Sequence, residues 1–404
     1  MVALSRNYIF KSIQHLVLVI AVLAQVGCMR SRPTGPQEAF REITRRVFTD
    51  DKDFAGLNEA LSRNISALEN IPADKPMHFG PIATSYGAYT KALRGLRKVI
   101  SSGQDAAEIN DYILTNFRIL EFYGGDTWGT VMTTGYFEPV LMGSMQQTSL
   151  YSYPLYRKPD TLLTIRPSEF SSALNKVGRL KGRVQGNSVV PFYTRQQIDE
   201  DKPLSNRGLE LVWVDPIDAF FLHIQGSGTI VVPGYKTLHL VYADKNGRRY
   251  EAIGRFLKEV LPKDNISMQS ITQYLRTLSP KDRDHILHKN PSYVFFKPSK
   301  KRAITAMGIP ATAGRTIAVD RRFAPKGALA FLTYKKPVFD GEVARADDLP
   351  DSYIETGRFV LDQDTGGAIT GTGHIDLFCG SGLEAQREAG VMRHQGHLVY
   401  FVPR

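Results

Sequence analysis

Apolar and polar positions follow three successive textures along the 404-residue chain. In residues 37–68, and again from about 84 to 121, apolar side chains recur at helical spacing, with Leu93, Leu96, Val99 and Ile100 on one stripe. Such stripes pack a core. After Gly124 short β-rich runs alternate with Gly, Pro and Asn: Gly129–Tyr136, Ser188–Tyr193, Leu209–Trp213, Ala219–Gln225, Thr229–Val232 and Leu238–Tyr242. Strands at this spacing predict a barrel or sandwich. Helical texture returns near Gly254–Val260 and Met268–Leu278. From Tyr293 the pattern is β again, in Tyr293–Phe296, Thr316–Val319, Leu329–Thr333, Gly357–Leu361 and His397–Phe401. The pattern predicts a mainly β protein with flanking helices, compatible with an α+β chain of two barrels, and shows no internal repeats.

The N-terminus departs from all of this. Arg6 and Lys11 precede the apolar run Leu16 to Ala24, which is shorter than the roughly twenty residues that cross a bilayer. It reads as a signal-peptide core, residues 1–27. The run ends at Val26-Gly27-Cys28, small residues before a cysteine, which resembles a bacterial lipoprotein signal. Gln25 stands where Leu is usual, and plain cleavage or an uncleaved anchor are the other readings. With Cys28 lipidated, Met29 follows with no Asp to signal inner-membrane retention. The expected address is then the outer membrane of a Gram-negative cell, facing the periplasm, with 28–36 as a tether. Stable attachment needs more than one acyl chain.

Composition narrows the function classes. The only other cysteine is Cys379, which leaves neither a disulfide framework nor a Cys-based zinc site. A lone thiol is reactive in some enzymes, although a packed core residue is the commoner outcome. Formal charge falls from +11 to +9 once Arg6 and Lys11 are removed, with Lys300-Lys301-Arg302 the densest run. An exported address argues against nucleic acid, and an acidic polymer such as cell-wall glycan fits the charge better.

Three aspartates stand out. Asp320 closes Thr316-Ile317-Ala318-Val319, Asp364 opens Asp364-Thr365-Gly366-Gly367, and Asp376 sits between Ile375 and Leu377. Apolar neighbours bury a carboxyl group, and burial raises its pKa into the range of a usable acid. Asp364 also reads as an Asx-turn residue, and Asp320 as a loop cap paired with Arg321 or Arg322. No turn chemistry asks for Asp376. Gly366-Gly367 lacks the surroundings of a phosphate loop and suits a tight turn or the close approach of a polymer. His223, His285, His288, His374, His394 and His397 form no HExxH pattern, so no metal is expected, and His285/His288 read as a solvated helical face. No GxSxG elbow is present. Thr134-Gly135-Tyr136-Phe137-Glu138-Pro139 joins hydrogen-bonding groups to aromatic surface at a proline-fixed turn. The apolar run Phe220 to Ile224 reads as a buried strand ending in Gln225-Gly226-Ser227-Gly228. Neutral donors beside aromatic faces suit a sugar polymer, and a packed strand with its turn is the plainer reading of both clusters.

In order along the chain stand TGYFEP (134–139), YPLYRKP (153–159), PFYTRQQID (191–199), LVWVDPIDAFFLHIQGSG (211–228), a GY…NG…Y…IG run (234–254), NPSYVFF (290–296), GRTIAVD (314–320) and DTGGAITGTGHIDLFCGSG (364–382). Together they resemble the membrane-bound lytic murein transglycosylase A family over almost the whole mature chain. The resemblance implies a double-psi β-barrel, the 3D domain, over 37–139 and 290–404, with N-terminal helices. A second β-barrel is inserted at 140–289, and the groove between the two takes a peptidoglycan glycan strand. TGYFEP would lie near the groove's inner wall and QGSG opposite.

The implied chemistry is cleavage of the β-1,4 bond between N-acetylmuramic acid and N-acetylglucosamine without water, leaving a 1,6-anhydro ring. Asp376 falls on the catalytic acid, with Asp364 and Asp320 in support. Thr134, Gly135, Tyr136, Glu138, Gln225, Gly226, Ser227, Gly366 and Gly367 fall on substrate-binding places. No cofactor is implied, and proteins of cell-wall synthesis or division would be among the partners. The chain departs from the family pattern at His374, where Arg is common, at Ile375 and Cys379, and at Val214-Asp215. A hydrolytic glycosidase, with Glu138 or Asp364 as second carboxylate, and a non-catalytic peptidoglycan-binding lipoprotein are the competing readings.

Overall fold

The computed structural model describes residues 35–404 except 45, 46, 126, 262–265, 342–347 and 368. The signal segment 1–27 and the lipidation candidate Cys28 lie outside the described residues. Strand β1 (Phe40–Ile43) leads to helix α1 (Leu57–Leu68), hairpin β2 (Pro76–Phe79) and β3 (Ile82–Ser85), then α2 (Tyr86–Ser101) and α3 (Ala106–Asn116). Strands β4 (Phe117–Phe122) and β5 (Thr130–Glu138) complete this passage. The chain then makes an excursion through β6 (Val140–Ser144), β7 (Tyr153–Tyr156), β8 (Leu163–Ile165), β9 (Leu180–Gln185), β10 (Ser188–Pro191) and α4 (Arg195–Glu200). The excursion continues with β11 (Glu210–Val214), α5 (Pro216–Gln225), β12 (Ser227–Val231), β13 (Leu238–Lys245), α6 (Met268–Thr277), α7 (Pro280–Leu287) and β14 (Val294–Pro298). It returns as β15 (Thr316–Ala318), β16 (Ala328–Val338), β17 (Ser352–Asp364), β18 (His374–Ser381), α8 (Leu383–Val391) and β19 (Arg393–Pro403).

Two sheets organise these strands. The first runs β1-β4-β19-β16-β17-β15-β18-β5, and β5 pairs again with β19, so six strands close into a barrel. Its β18–β5 and β15–β17 pairings are parallel and the rest antiparallel. This is the expected double-psi β-barrel, mainly β with flanking helices. The second sheet runs β14-β13-β12-β6-β11-β7, and a bridge from Arg157 to Phe296 joins its two edges. Strands β8 to β10 form a small separate sheet.

Local sequence explains the helices that brace the first barrel. Ser85 caps α2 by accepting from Ala88 N, and Asp105 with Glu108 forms a capping box on α3. Helix α2 buries Tyr89, Leu93 and Leu96 against the barrel. The Tyr89 hydroxyl donates to Phe401 O and accepts from Leu329 N, both at 2.8 Å, which fixes helix to strand in a fully buried place.

Several expectations fail here. The helical reading of 37–68 holds only for α1, because Phe40–Ile43 pairs with β4. The reading of 84–121 overruns into β4, whose apolar residues are claimed by β19. Near Gly254–Val260 only a 3-10 turn, Ile253–Phe256, forms. Ala219–Gln225 is helical, not a strand, since Asp215 caps α5 through Ile217 N and Asp218 N and Pro216 occupies its first turn. TGYFEP belongs to β5 rather than to a turn. Finally, β14 pairs with β13, so the chain leaves the second sheet after Pro298 and not at 290.

Candidate functional site

Strand β18 lies between β15 and β5, with Asp376 opposite Ala318 on one side and Thr134 on the other. Ile375 and Leu377 are fully buried in the barrel core. Alternation along the strand therefore turns His374 and Asp376 to the other face, where their side chains are 29% and 22% exposed. A strand flanked on both sides holds such a carboxyl group firmly. His374 Nε2 sits 3.2 Å from Asp376 Oδ1 and 2.7 Å from Thr134 Oγ1, while Thr134 Oγ1 is 3.3 Å from the Ile375 carbonyl. One proton arrangement satisfies all three contacts. Thr134 donates to the carbonyl and accepts from Nε2–H, which also faces Asp376. Asp376 Oδ2 has no donor among the described residues.

The other carboxylates are spoken for. Asp364 Oδ1 accepts from Thr365 N and Ala306 N, and Oδ2 from the Tyr136 hydroxyl at 2.9 Å. Burial pushes the Asp364 carboxyl up despite these donors. Asp320 takes a forked pair from Arg322, with the N–H of Arg322 and of Gly371. Burial works against the charge, but these donors outweigh it and hold Asp320 below the usual carboxylate range.

Glu138 is 1% exposed. Its Oε1 accepts from Ala303 N and its Oε2 from Arg302 and Ser381. It was expected to bind substrate, but it is a buried tie between β5, β18 and the segment after β14. Gly135, also expected there, instead admits α8: a β-carbon would lie 2.7 Å from Ala389 Cα.

Across the seam stands the second sheet. Gln225 ends α5, and its Oε1 accepts from Phe137 N at 3.2 Å. Thr229 N reaches Pro139 O at 2.8 Å, so the QGSG segment meets the end of β5 directly rather than facing TGYFEP across a gap. Gly226 takes φ 79° to stop the helix, with open space around it, and Ser227 begins β12. Gly367 comes within reach of Lys245, whose Nζ would be 4.0 Å from a β-carbon there, while Gly366 packs on Ile369. Burial, and then the negative charge of Asp376, push up the phenol of Tyr250, a residue between β13 and α6. The structure thus gathers Asp376, His374, Thr134, Gln225 and Tyr250 at the junction of the two barrels. His223 does not join them. It is buried against Tyr293, Phe296 and Tyr153, and burial holds it neutral. His288, expected on a solvated face, contacts Asp199 at 3.0 Å. Among the described residues no three His, Cys, Asp or Glu side chains converge as metal ligands.

Sequence reasoning overlooked Lys326, which donates to Val319 O and Asp364 O and pairs with Asp362. Asp362 is fully buried, and burial pushes its carboxyl up to about 6 even beside Lys326 and Tyr400. The spacing Asp362-x-Asp364 in a strand was the available signal, because alternate residues share a face. Tyr250 carried no local signal beyond its place in the GY…NG…Y run.

Known proteins give this geometry its context. The chain matches the MltA specific insert domain over residues 132–297 and the 3D domain over 315–402. Membrane-bound lytic murein transglycosylase A of Escherichia coli K12 is 26% identical over 394 residues, 95% of this chain and 94% of that protein. The protein of that name from Vibrio cholerae is 31% identical over 280 residues, 68% of this chain and 66% of its own. Among solved structures, a membrane-bound lytic murein transglycosylase from Agrobacterium tumefaciens superposes with a TM-score of 0.72 at 29% identity, covering 91% of this chain and 98% of that one. E. coli MltA with bound chitohexaose shares the fold, with a TM-score of 0.67 at 22% identity over 92% and 96% of the two chains. By sequence over nearly its whole length and by fold, the chain belongs to the membrane-bound lytic murein transglycosylase A family.

Proposed function

We infer that this chain is a peptidoglycan lytic transglycosylase in which Asp376 serves first as acid and then as base. Protonated Asp376 gives its proton to the glycosidic oxygen as the bond from C1 of the muramic sugar breaks. The carboxylate then takes the proton of the C6 hydroxyl, whose oxygen closes on C1 to form the 1,6-anhydro ring. No water enters. His374 and Thr134 hold the Asp376 carboxyl in place, and Gln225 and the Gly366-Gly367 loop contact the glycan.

One observation carries this reading. Of Asp320, Asp364, Asp376 and Glu138, Asp376 alone keeps an oxygen without a donor among the described residues. A hydrolase would need a second carboxylate about 5–9.5 Å away to attack or to activate water. Glu138 and Asp364 are both fully hydrogen-bonded, which weighs against that alternative. The chitohexaose bound by the E. coli protein supports an oligosaccharide ligand here. Relatives are named membrane-bound, and among the described residues no helix is long and apolar enough to cross a membrane. A lipid on Cys28, holding the enzyme at the outer membrane, reconciles the two.

Digestion of purified sacculi by wild type and Asp376→Asn tests the assignment. Wild type should release 1,6-anhydro ends, and the variant should lose about 10²–10⁴-fold in rate. Reducing ends from wild type would establish hydrolysis instead. Strand binding without turnover would mark a binding protein.

A further inference from the structure

Behind β18, on the face opposite Asp376, lies a cavity of about 110 Å³ lined by Lys52, Ala313, Gly314, Lys336, Arg358, Leu377, Cys379 and Glu388. A single water needs only about 10–15 Å³ of such space, so there is room for a small solute. Three cationic side chains converge on it from the segment before α1, from β16 and from β17. Arg358 gives Nε and Nη2 to Asp51 at 2.8 and 2.5 Å, which leaves Nη1 pointing elsewhere. Nη1 points at Gly314: a β-carbon there would lie 2.6 Å from Arg358 Nη1 and 3.5 Å from Lys52 Nζ. Gly314, at φ 69°, thus admits two like-charged head groups to one spot.

Among the described residues neither Lys52 Nζ nor Lys336 Nζ has a hydrogen-bond acceptor, and Glu388 has no ion-pair partner within 4.0 Å. Burial, and then Arg358 and Arg315, push the Lys52 ammonium down. Tyr334 does not line the cavity but packs beside it under Arg358. Tyr334 is 1% exposed, its hydroxyl has no partner, and its ring lies under Arg358 with Cys379 and Glu388 nearby. Three cationic groups converge here on one lining carboxylate, Glu388, which bonds none of them, and such a surplus of donors suits an added anion.

We propose that this cavity binds a small tetrahedral oxyanion, of the phosphate or sulfate class, held by Lys52, Lys336 and Arg358 Nη1. Donors from several directions suit a tetrahedral ion better than a planar carboxylate. The site is separate from the glycan groove, and nothing in the transglycosylase chemistry requires it.

Calorimetric titration of the mature chain with inorganic phosphate, and with sulfate in a second arm, measures binding directly. Melting in phosphate and in chloride of equal ionic strength gives the second readout. Saturable binding is expected, with the melting temperature raised by roughly 2–4 °C at about ten times Kd. Lys52→Gln should abolish the phosphate response and, by removing repulsion, melt higher than wild type in chloride. Lys336→Gln should weaken the response, and the exposed Lys297→Gln should leave it intact. Absence of saturable binding to the wild type overturns the proposal whatever the variants do. So does an equal phosphate response in wild type and Lys52→Gln.

Discussion

Thr134→Val tests whether Thr134, His374 and Asp376 act as one unit. The substitution is nearly isosteric and removes only Oγ1, with its 2.7 Å contact to His374 and its longer 3.3 Å contact to the Ile375 carbonyl. A net hydrogen bond is worth about 0.5–1.5 kcal/mol. His374 is partly exposed, so water takes over the lost contact and the stability cost stays near the lower figure. Turnover is more sensitive, because His374 is then free to turn away from Asp376. A misplaced acid should cost about tenfold in kcat, close to 1.4 kcal/mol of barrier. His374→Ala should cost a similar factor for the same reason. If the two residues act through one chain, the double variant loses about tenfold in total and not a hundredfold. The coupling is then about 1.4 kcal/mol, within the usual range for residues in contact. Release of 1,6-anhydromuropeptides from isolated glycan, followed by mass spectrometry, gives kcat and KM separately. A hundredfold loss in the double variant, or unchanged kcat in either single one, would refute the linkage.

Three other outcomes follow from the contacts. Asp50 and Arg315 form a wholly buried pair, and Asp50 also accepts from Lys52 N, Phe54 N and Phe359 N, so Asp50→Asn should cost about 3–5 kcal/mol in urea unfolding. Burial opposes the Asp50 charge, but Arg315 and the backbone donors outweigh it and lower its pKa on folding. Its contribution is therefore complete above the unfolded value near 3.9 and lost as pH falls through the folded one, so the gap between wild type and variant should close in acid. Tyr136→Phe strips the donor from Asp364 Oδ2, which should cost about 1 kcal/mol at this half-buried carboxyl and move its NMR titration further upward; an unmoved titration counts against the contact. Cys28→Ser should shift the protein from the membrane pellet to the soluble fraction, and retention in the pellet would contradict lipidation.

What the sequence revealed divides by the range of the interaction. For Asp376 local sequence, two apolar neighbours and then glycines, leaves an even choice, and the proposed role comes from the ordered motifs of the family resemblance. Helix α5 was misread because Ala219 to Ile224 is almost continuously apolar, and a buried helix then looks like a buried strand. The correction was present in Asp215-Pro216, a capping residue followed by a first-turn proline, with Gly226 as the stop. Glu138 reads from sequence as a groove residue because its partners, Arg302, Ala303 and Ser381, are far away along the chain. The same distance hid the basic cavity, whose charges come from Lys52, Lys336, Arg358 and Glu388. His374 stood out as a departure from the family, yet its role came only from the register that sets Thr134 beside β18.

The excursion between β5 and β15 also constrains when this enzyme can exist. Strand β5 is made before the excursion, yet its two neighbours in the closed barrel, β18 and β19, are made only after it. The chain emerges N-terminus first, so the second sheet, whose strands pair within the excursion, is complete before β5 has any partner. Pairings so distant in sequence close slowly, and an unpaired β5 carrying Val131 and Phe137 invites wrong contacts meanwhile. A chain cut short before His374 lacks the strands that close the barrel and the proposed acid, Asp376. An agent that cuts the cell's own wall thus has its barrel closed only once β18 and β19 are made.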